Sequence, residues 1–377
     1  MSRRQRGVAL LIVMLMLALM VTIAASITER SGKAWQRTSN LLNRTQARWY
    51  ALGAEALISS VLQRDAKASP QSTFIGQPWS KVDHQVMSDG SEIRAQVQDG
   101  QACLNLNALS PAKSTTATGV SGNSSGNNST GSNTSSSNTS SSNTSSSNTS
   151  SSSTSSNSGT SSNNSSSTNS ANPEQGPYAA RVFRQLLIVL GEEPKQAEHI
   201  TDAVRDWIDE DSEPLMNGAE DDSYVNFHPG NQRMADVSEL RAVMGVDAGL
   251  YHRLLPYVCV LPVDKLAINV NTLTPDSAPL LSALFMGEIS RDIAERILQQ
   301  RPPQGWRNLN DFMGMLTLSG NGKTGARQVL VIKSDWFFAD IQIRVDDSEF
   351  YQRSLFHRGK QTEVVQRQYG GYRTVNP

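Results

Sequence analysis

From Val8 to Thr28 the chain reads VALLIVMLMLALMVTIAASIT, 21 residues without a charge. A helix rises about 1.5 Å per residue, so this run reaches across the ~30 Å of a bilayer's hydrocarbon. Beyond it, Trp35, Leu41, Leu42, Ala47, Trp49, Tyr50, Ala54, Leu57, Ile58 and Leu62 recur near helical spacing, with no proline before Pro70. That pattern predicts one long helix from the membrane run to about Arg64. Alternation then takes over in Ser91–Gln98 and Cys103–Asn107, on either side of Asp99-Gly100. A turn dipeptide between alternating runs predicts a hairpin. From Pro173 to about Ser334 the period is helical again. Candidate helices are Tyr178–Leu190, Lys195–Ile208, Asp236–Met244, Asp247–Leu255, Pro275–Phe285, Ser290–Gln300 and Asn308–Met315, mostly short and bounded by Pro or Gly. Alternation returns at Trp336–Val345, and strands are expected at Glu349–Leu355 and Thr362–Gln368. The fold class is therefore α/β: a long N-terminal helix, a small antiparallel sheet, and a large all-α domain inserted between its strands.

Composition changes this picture in one place. Only 37% of the 377 residues are hydrophobic and 6% aromatic. The deficit is concentrated in a Ser/Asn/Thr tract from Ser114 to about Ala171, which has nothing to bury and is expected to be disordered. About 300 ordinary residues remain, enough for a sizeable core. Lys plus Arg total 34 against 35 Asp plus Glu, a net charge of −1. Such a balance argues against bulk attraction to nucleic acid. Two cysteines exclude a disulfide-framework fold and lack zinc-finger spacing.

The N-terminal junction is more specific. A short leader with Arg3, Arg4 and Arg6 favours a cytoplasmic N-terminus, although Arg30, Lys33 and Arg37 follow the run. Ala24-Ala25-Ser26 is a weak signal-peptidase site, and a secreted hydrolase would be cut there. However, Gly7 directly precedes the first apolar residue, giving QRG|VALL. This resembles the prepilin-peptidase site of type IV pilins and type II secretion pseudopilins. The usual glutamate at the fifth mature position is replaced by Ile12, the mark of the large minor pseudopilins of the general secretion pathway protein K family. A carboxylate in hydrocarbon is tolerable mainly when paired. A subunit with Ile12 needs no neighbour above it and is suited to a filament tip.

The resemblance implies cleavage between Gly7 and Val8, methylation, and a single-pass anchor in the inner membrane with the C-terminal domain in the periplasm. It implies a pilin-like fold organised as leader 1–7, transmembrane helix 8–28, helix and first strands 29–112, Ser-rich insertion 113–172, all-α domain 173–334 and closing strands 335–377. The implied partners are two other minor pseudopilins in a tip complex, the major pseudopilin and the prepilin peptidase. The implied function is to initiate pseudopilus assembly and support export of folded proteins. Outside the cytoplasm Cys103 and Cys259 are expected to pair, tying the insertion to the sheet, although two separate buried thiols also fit the sequence.

The richest polar stretch runs from Asp206 to Asp222, with eight carboxylates in 17 residues. Hard oxygen ligands at short range suit Ca²⁺. The spacing is not that of an EF-hand. The family carries calcium near a DWxDxD…GAED segment, which implies structural calcium at Asp206, Asp209, Asp211, Glu220, Asp221 and Asp222. A solvated acidic loop is the other reading. No nucleophile, histidine partner or oxyanion motif accompanies these acids, so no enzyme is expected. Gly320-Asn321-Gly322-Lys323-Thr324 imitates a P-loop ending, but Thr317 stands where its first glycine is required, and a loop is expected there. Ile268-Asn269-Val270-Asn271-Thr272 with the segments to Phe312 resembles a helix-hairpin-helix module. Its hairpin keeps only Gly287 and adds Glu288. A membrane-anchored protein using that module on DNA or a cell-wall ligand is the alternative function; no nucleic acid is expected on the main reading.

Overall fold

The computed structural model describes residues 5–81, 83–110, 176–316, 321–346 and 348–370. The Ser-rich insertion expected at 113–172 lies outside the described residues. Residues 1–112 and 174–377 form one compact unit.

Helix α1 spans Gln5–Ala68 without interruption. Its most apolar window has a mean hydropathy of 2.8 and none of it is buried in the protein. The helix continues four residues past the expected end and stops just before Pro70, which disfavours helix in the residue preceding it. Above the apolar run Ala47, Ala51, Ala54, Ile58 and Leu62 are buried against a sheet. The three alanines let the helix backbone approach it closely.

That sheet has five antiparallel strands in the order β1-β2-β7-β8-β9. They are β1 (Asp83–Val86), β2 (Glu92–Asp99), β7 (Trp336–Val345), β8 (Ser348–Arg358) and β9 (Thr362–Tyr369). In β7 Phe337, Ala339, Ile341, Ile343 and Val345 are buried in the cluster that holds α1, the strict alternation of a half-covered strand. Sheet neighbours β2 and β7 are separated in the chain by the whole helical block. The expected topology is therefore the one found.

The helical block contains α2 (Tyr178–Val189), α3 (Pro194–Ile208), α4 (Ala248–Leu254), α5 (Ala278–Leu284), α6 (Arg291–Gln299), α7 (Leu309–Gly314) and α8 (Asn321–Val329). Short parallel pairs stitch it together: β3 (Leu104–Asn105) with β4 (Val258–Cys259), and β5 (Ile268–Asn269) with β6 (Leu330–Val331). One core runs through it, with Phe183, Leu187, Ile200, Leu280, Phe285 and Phe312 fully buried.

Three expectations need correction. Asp99-Gly100 does not close a hairpin between its flanking runs. The Asp99 side chain accepts from Gln101 N at 2.8 Å, and Gly100 N donates to Trp336 O at 2.8 Å. A Cβ on Gly100 would lie 3.1 Å from that oxygen. The turn signal is real, but it sends the chain out of the sheet; the hairpin turn lies at Met87–Ser91, where Gly90 has φ +83°. The segment expected as a loop at 320–324 lies partly in α8. Its glycines serve packing, since a Cβ at Gly325 would sit 2.1 Å from the Tyr178 ring and one at Gly322 2.9 Å from Phe285 O. The helix expected over Asp236–Met244 is a short 3₁₀ segment, Val237–Arg241, held by an Asp236/Glu239 capping box.

Between sheet and block lies a buried polar junction. Asp99 Oδ2 accepts from Ser334 Oγ at 2.5 Å, Thr272 Oγ1 at 2.6 Å and Asn269 Nδ2 at 3.1 Å. Asn269 also donates to Thr73 O at 3.0 Å, and Arg358 Nη2 donates to Thr73 Oγ1 at 2.6 Å and Ser334 O at 2.5 Å. Burial pushes the Asp99 carboxyl above its usual range, and these donors oppose the push. Five separate stretches of chain meet here. Asp99→Ala leaves two hydroxyls and an amide buried without their acceptor, so it is expected to cost about 3 kcal/mol or more. Gln98→Ala, on the exposed face of the same strand, should stay within about 0.5 kcal/mol in the same urea titrations. Equal losses would remove the junction's central role.

Candidate functional site

The acidic segment begins inside α3. Asp206 is fully buried near the helix end, and its carboxylate turns back on the following loop. Oδ2 accepts from Ala219 N at 2.8 Å, and Leu215 N lies 3.2 Å from both oxygens. Gly218 permits this, because a Cβ there would stand 1.8 Å from Asp206 Oδ2. Burial raises the Asp206 pKa, while the Leu215 and Ala219 amides oppose the rise. Asp206 therefore folds the loop from within.

The loop brings Glu220 to an unusual place. The residue is buried, and neither carboxylate oxygen has a hydrogen-bond partner. Its pKa is pushed up to about 7, by burial first and then by the charges of Asp206, Asp221 and Asp211. The nearby Asn231 amide opposes this in part without reaching hydrogen-bond geometry. Asn231 adopts φ +41°, and its Oδ1 is buried without a partner. Three buried oxygen acceptors, two of Glu220 and one of Asn231, thus lie among acids without a hydrogen-bond partner.

The remaining acids are arranged outward. Asp209 caps the C-terminus of α3, its N donating to Arg205 O at 3.0 Å. Asp211 Oδ1 accepts from Glu213 N at 3.1 Å. Asp221 Oδ1 meets His228 Nδ1 at 3.0 Å, and both Asp221 and Asp222 are exposed on a 3₁₀ turn. Among the described residues no three His, Cys, Asp or Glu side chains are grouped closely enough to form a ready metal cage. Nevertheless, the donor set fits a hard cation: all oxygen, net negative, and centred on an unsatisfied buried carboxylate. Of three further residues that shape the site, Gly218 is read from the sequence only as the start of GAED, His228 only as a surface or packed histidine, and Asn231 is not singled out. Pro229-Gly230-Asn231 is a turn signal that pointed to the last of them.

Two other predicted features have definite places. Cys103 and Cys259 form a disulfide with Cα atoms 5.8 Å apart, beside the β3–β4 pair. It joins the first residues after β2 to the middle of the block, between α4 and α5. The Gly7–Val8 bond lies within α1, three residues from its first described residue.

The helix-hairpin-helix resemblance survives as packing. The turn between α5 and α6 places Met286 at φ +53° and Gly287 at φ +76°. Its amides are consumed in ending α5: Met286 N donates to Ala283 O, Gly287 N to Ser282 O and Glu288 N to Phe285 O. Glu288 Oε1 then accepts from Gly322 N in the first turn of α8. Asn271 of the INVNT segment bonds Trp306 through both Nδ2 and Oδ1. No phosphate cradle remains on this turn, and the DNA or cell-wall reading loses its basis.

Comparisons with known proteins agree with the fold. Two family models described as "Type II secretion system (T2SS), protein K" match residues 102–263 and 268–333. Type II secretion system protein K of Dickeya chrysanthemi is 81% identical over 100% of both chains. That of Pectobacterium carotovorum is 47% identical over 100% of both, and that of Klebsiella pneumoniae 39% over 99% of this chain and 98% of its own. A chain in the crystal structure of the GspK–GspI–GspJ complex from enterotoxigenic Escherichia coli superposes with a TM-score of 0.67. It is 28% identical and covers 89% of this chain and 100% of its own. An unburied apolar helix, a pilin-like sheet, a helical block between β2 and β7, and full-length relatives of one kind converge: the chain belongs to the type II secretion system protein K family.

Proposed function

We propose that this chain is the minor pseudopilin at the tip of a type II secretion pseudopilus. One observation carries the reading: α1 is a single 64-residue helix, free and apolar at one end and clamped to a sheet at the other. Such a helix anchors a folded domain rigidly at a membrane. The bulky helical block beside the sheet, and Ile12 in place of a membrane carboxylate, suit a subunit with nothing stacked above it. The solved relative was crystallised with GspI and GspJ, which supports two other minor pseudopilins as partners. The anchor lies in the inner membrane, the folded domain in the periplasm, and the leader is removed after Gly7 by the prepilin peptidase, with methylation of Val8. The major pseudopilin meets the chain through the membrane helix. We assign it no catalytic step.

In the acidic loop, Glu220 with Asp211 and Asp221 would hold calcium, with Asp209 and Asp222 completing the set and Asp206 shaping the loop. Bound calcium supplies positive charge where Glu220 now lacks any partner. Its role is structural, holding a loop that buries little apolar surface.

Two outcomes test this reading. The mature chain from membranes should begin at Val8, only when a prepilin peptidase is present, and its deletion should abolish secretion of folded exoproteins. A mature start at Met1, or after Ser26, would sink the assignment.

The second test is a set of thermal melts. Between the ordinary glutamate pKa of 4.5 and about 7, the native chain holds a proton on Glu220 that the unfolded chain releases. Without calcium, stability should therefore fall as pH rises through that window. Glu220→Gln should flatten the fall and, in chelator at pH 8, melt higher than the native chain. Calcium at 100 times its Kd should stabilise the native chain by about 2.7 kcal/mol. Glu220→Gln should lose most of that gain, whereas an equal gain in both chains would remove Glu220 from the site.

A further inference from the structure

Between Thr28 and Glu55 helix α1 carries five cations, Arg30, Lys33, Arg37, Arg44 and Arg48, against one acid, Glu29. Their spacings of three, four, seven and four keep all five within about 60° of the helix circumference. They form one basic line, on the side that Ala51, Glu55 and Leu62 turn to the sheet higher up. Arg48 accordingly reaches the Tyr369 ring of β9, 5.9 Å from its centroid. The exposed Trp35, Leu42 and Trp49 fall on the opposite side of the helix.

The line has two parts. Arg44 and Arg48 stand level with the lower turns of the sheet, where Asn43 donates to Asp346 at 3.3 Å and Gln46 to Asp89 at 2.6 Å. Arg30, Lys33 and Arg37 are exposed on bare helix below that level. At about 1.5 Å per residue they stand about 3, 8 and 14 Å above Thr28, where the apolar run ends. A headgroup layer is about 5–8 Å deep, and its charge is felt across a further ~8–10 Å. Helical side chains also lean toward the N-terminus, which for α1 is the membrane end. Glu29 pairs with Lys33 at 2.6 Å and leaves the net charge of the group at +2. Asp346 and Asp89 meet α1 at least about 15 Å above Lys33, too far to neutralise it. The leader carries the remaining charges beside the apolar run, Arg3, Arg4 and Arg6, and cleavage after Gly7 removes all three. The mature helix then has side-chain charge at its outer end alone.

We propose that Arg30, Lys33 and Arg37 form a headgroup site for anionic phospholipid in the outer leaflet of the membrane that α1 crosses. The inference rests on the reading that α1 anchors the mature chain with its folded domain in the periplasm.

The test uses the full mature chain, purified from membranes and reconstituted into phosphatidylcholine bilayers. The probes are spin-labelled phosphatidylglycerol and spin-labelled phosphatidylcholine. Lipid immobilised at the protein should favour phosphatidylglycerol by at least about threefold, and high salt should erase the preference. A chain with Arg30→Gln, Lys33→Gln and Arg37→Gln should lose the preference while its melting temperature and disulfide stay those of the native chain. Arg44→Gln, on the same line but about 24 Å above the apolar run, should keep it. Equal immobilisation of both lipids by the native chain would overturn the proposal, as would a triple variant that keeps the preference. Loss in Arg44→Gln as complete as in the triple variant would overturn it too, because the attraction would then belong to the whole line. A triple variant that fails to fold leaves the decision to the native chain's preference and its salt response. A mature chain recovered free of membranes would remove the anchor reading, and this inference with it.

Discussion

Everything above the membrane depends on one buried carboxylate. Asp99 ends β2 at the point where the chain leaves the sheet, and its oxygens gather Ser334, Thr272, Asn269 and the Gln101 amide. Ser334 belongs to the return into β7, Asn269 and Thr272 to the middle of the block. One side chain therefore holds the exit, the interior and the re-entry of the insertion in register. The charge balance is local as well. Arg358, at the end of β8, lies among Asp335, Asp65 and Asp99, whose charges support its protonated form against burial. A buried charge without such company would be costly, and removing any one member leaves the others exposed to that cost. The disulfide adds a second, covalent tie between the same two regions.

The junction and the acidic loop solve opposite problems. At Asp99 four donors reach the carboxylate and oppose the effect of burial. At Glu220 burial is opposed only in part, by the Asn231 amide, and neighbouring acids deepen the deficit. Asp206, at the end of α3, shows that this is not shared by every acid of the segment, because backbone amides of the loop bond both of its oxygens. The contrast between a bonded Asp206 and an unbonded Glu220, fourteen residues apart, is the observation on which the proposed calcium site rests.

How much of this was legible depends on what each signal measures. Strand β7 was readable to the residue, because one face packs on α1 and alternation records burial directly. Helices α2, α3 and α6 were readable within a residue or two for the same reason. Asp99-Gly100 was misread because a turn dipeptide reports local bending and says nothing about which strand lies next. Helix α8 was missed because Gly322 and Gly325 look like loop residues until Tyr178 and Phe285 are seen pressing on them. The acidic cluster was visible as composition. Which acid would be buried without a partner was not, since that depends on Gly218 and on the return of the chain at Asn231. The INVNT segment carried a true packing pattern, and its hydrogen bonds turn inward to Trp306 and Asp99.

The same contacts determine how the membrane end communicates with the rest. Glu55, halfway up the folded part of α1, is buried and accepts three bonds from Arg367 of β9, with Gln352 Nε2 and Ser354 Oγ each at 2.6 Å. Nearly three turns further on, Asp65 lies close enough to Arg358 for its charge to act, and Arg358 bonds Ser334, which bonds Asp99. A push along α1 therefore enters the sheet at Glu55 and the helical block at Asp65, without a flexible joint between them. A helix seated on the sheet by alanines alone could slide along it. The buried, hydrogen-bonded Glu55 opposes that sliding, because a shift in register would break its bonds to Arg367, Gln352 and Ser354. The domain must then follow its anchor as one body, as a subunit lifted from a membrane at the head of a filament would require.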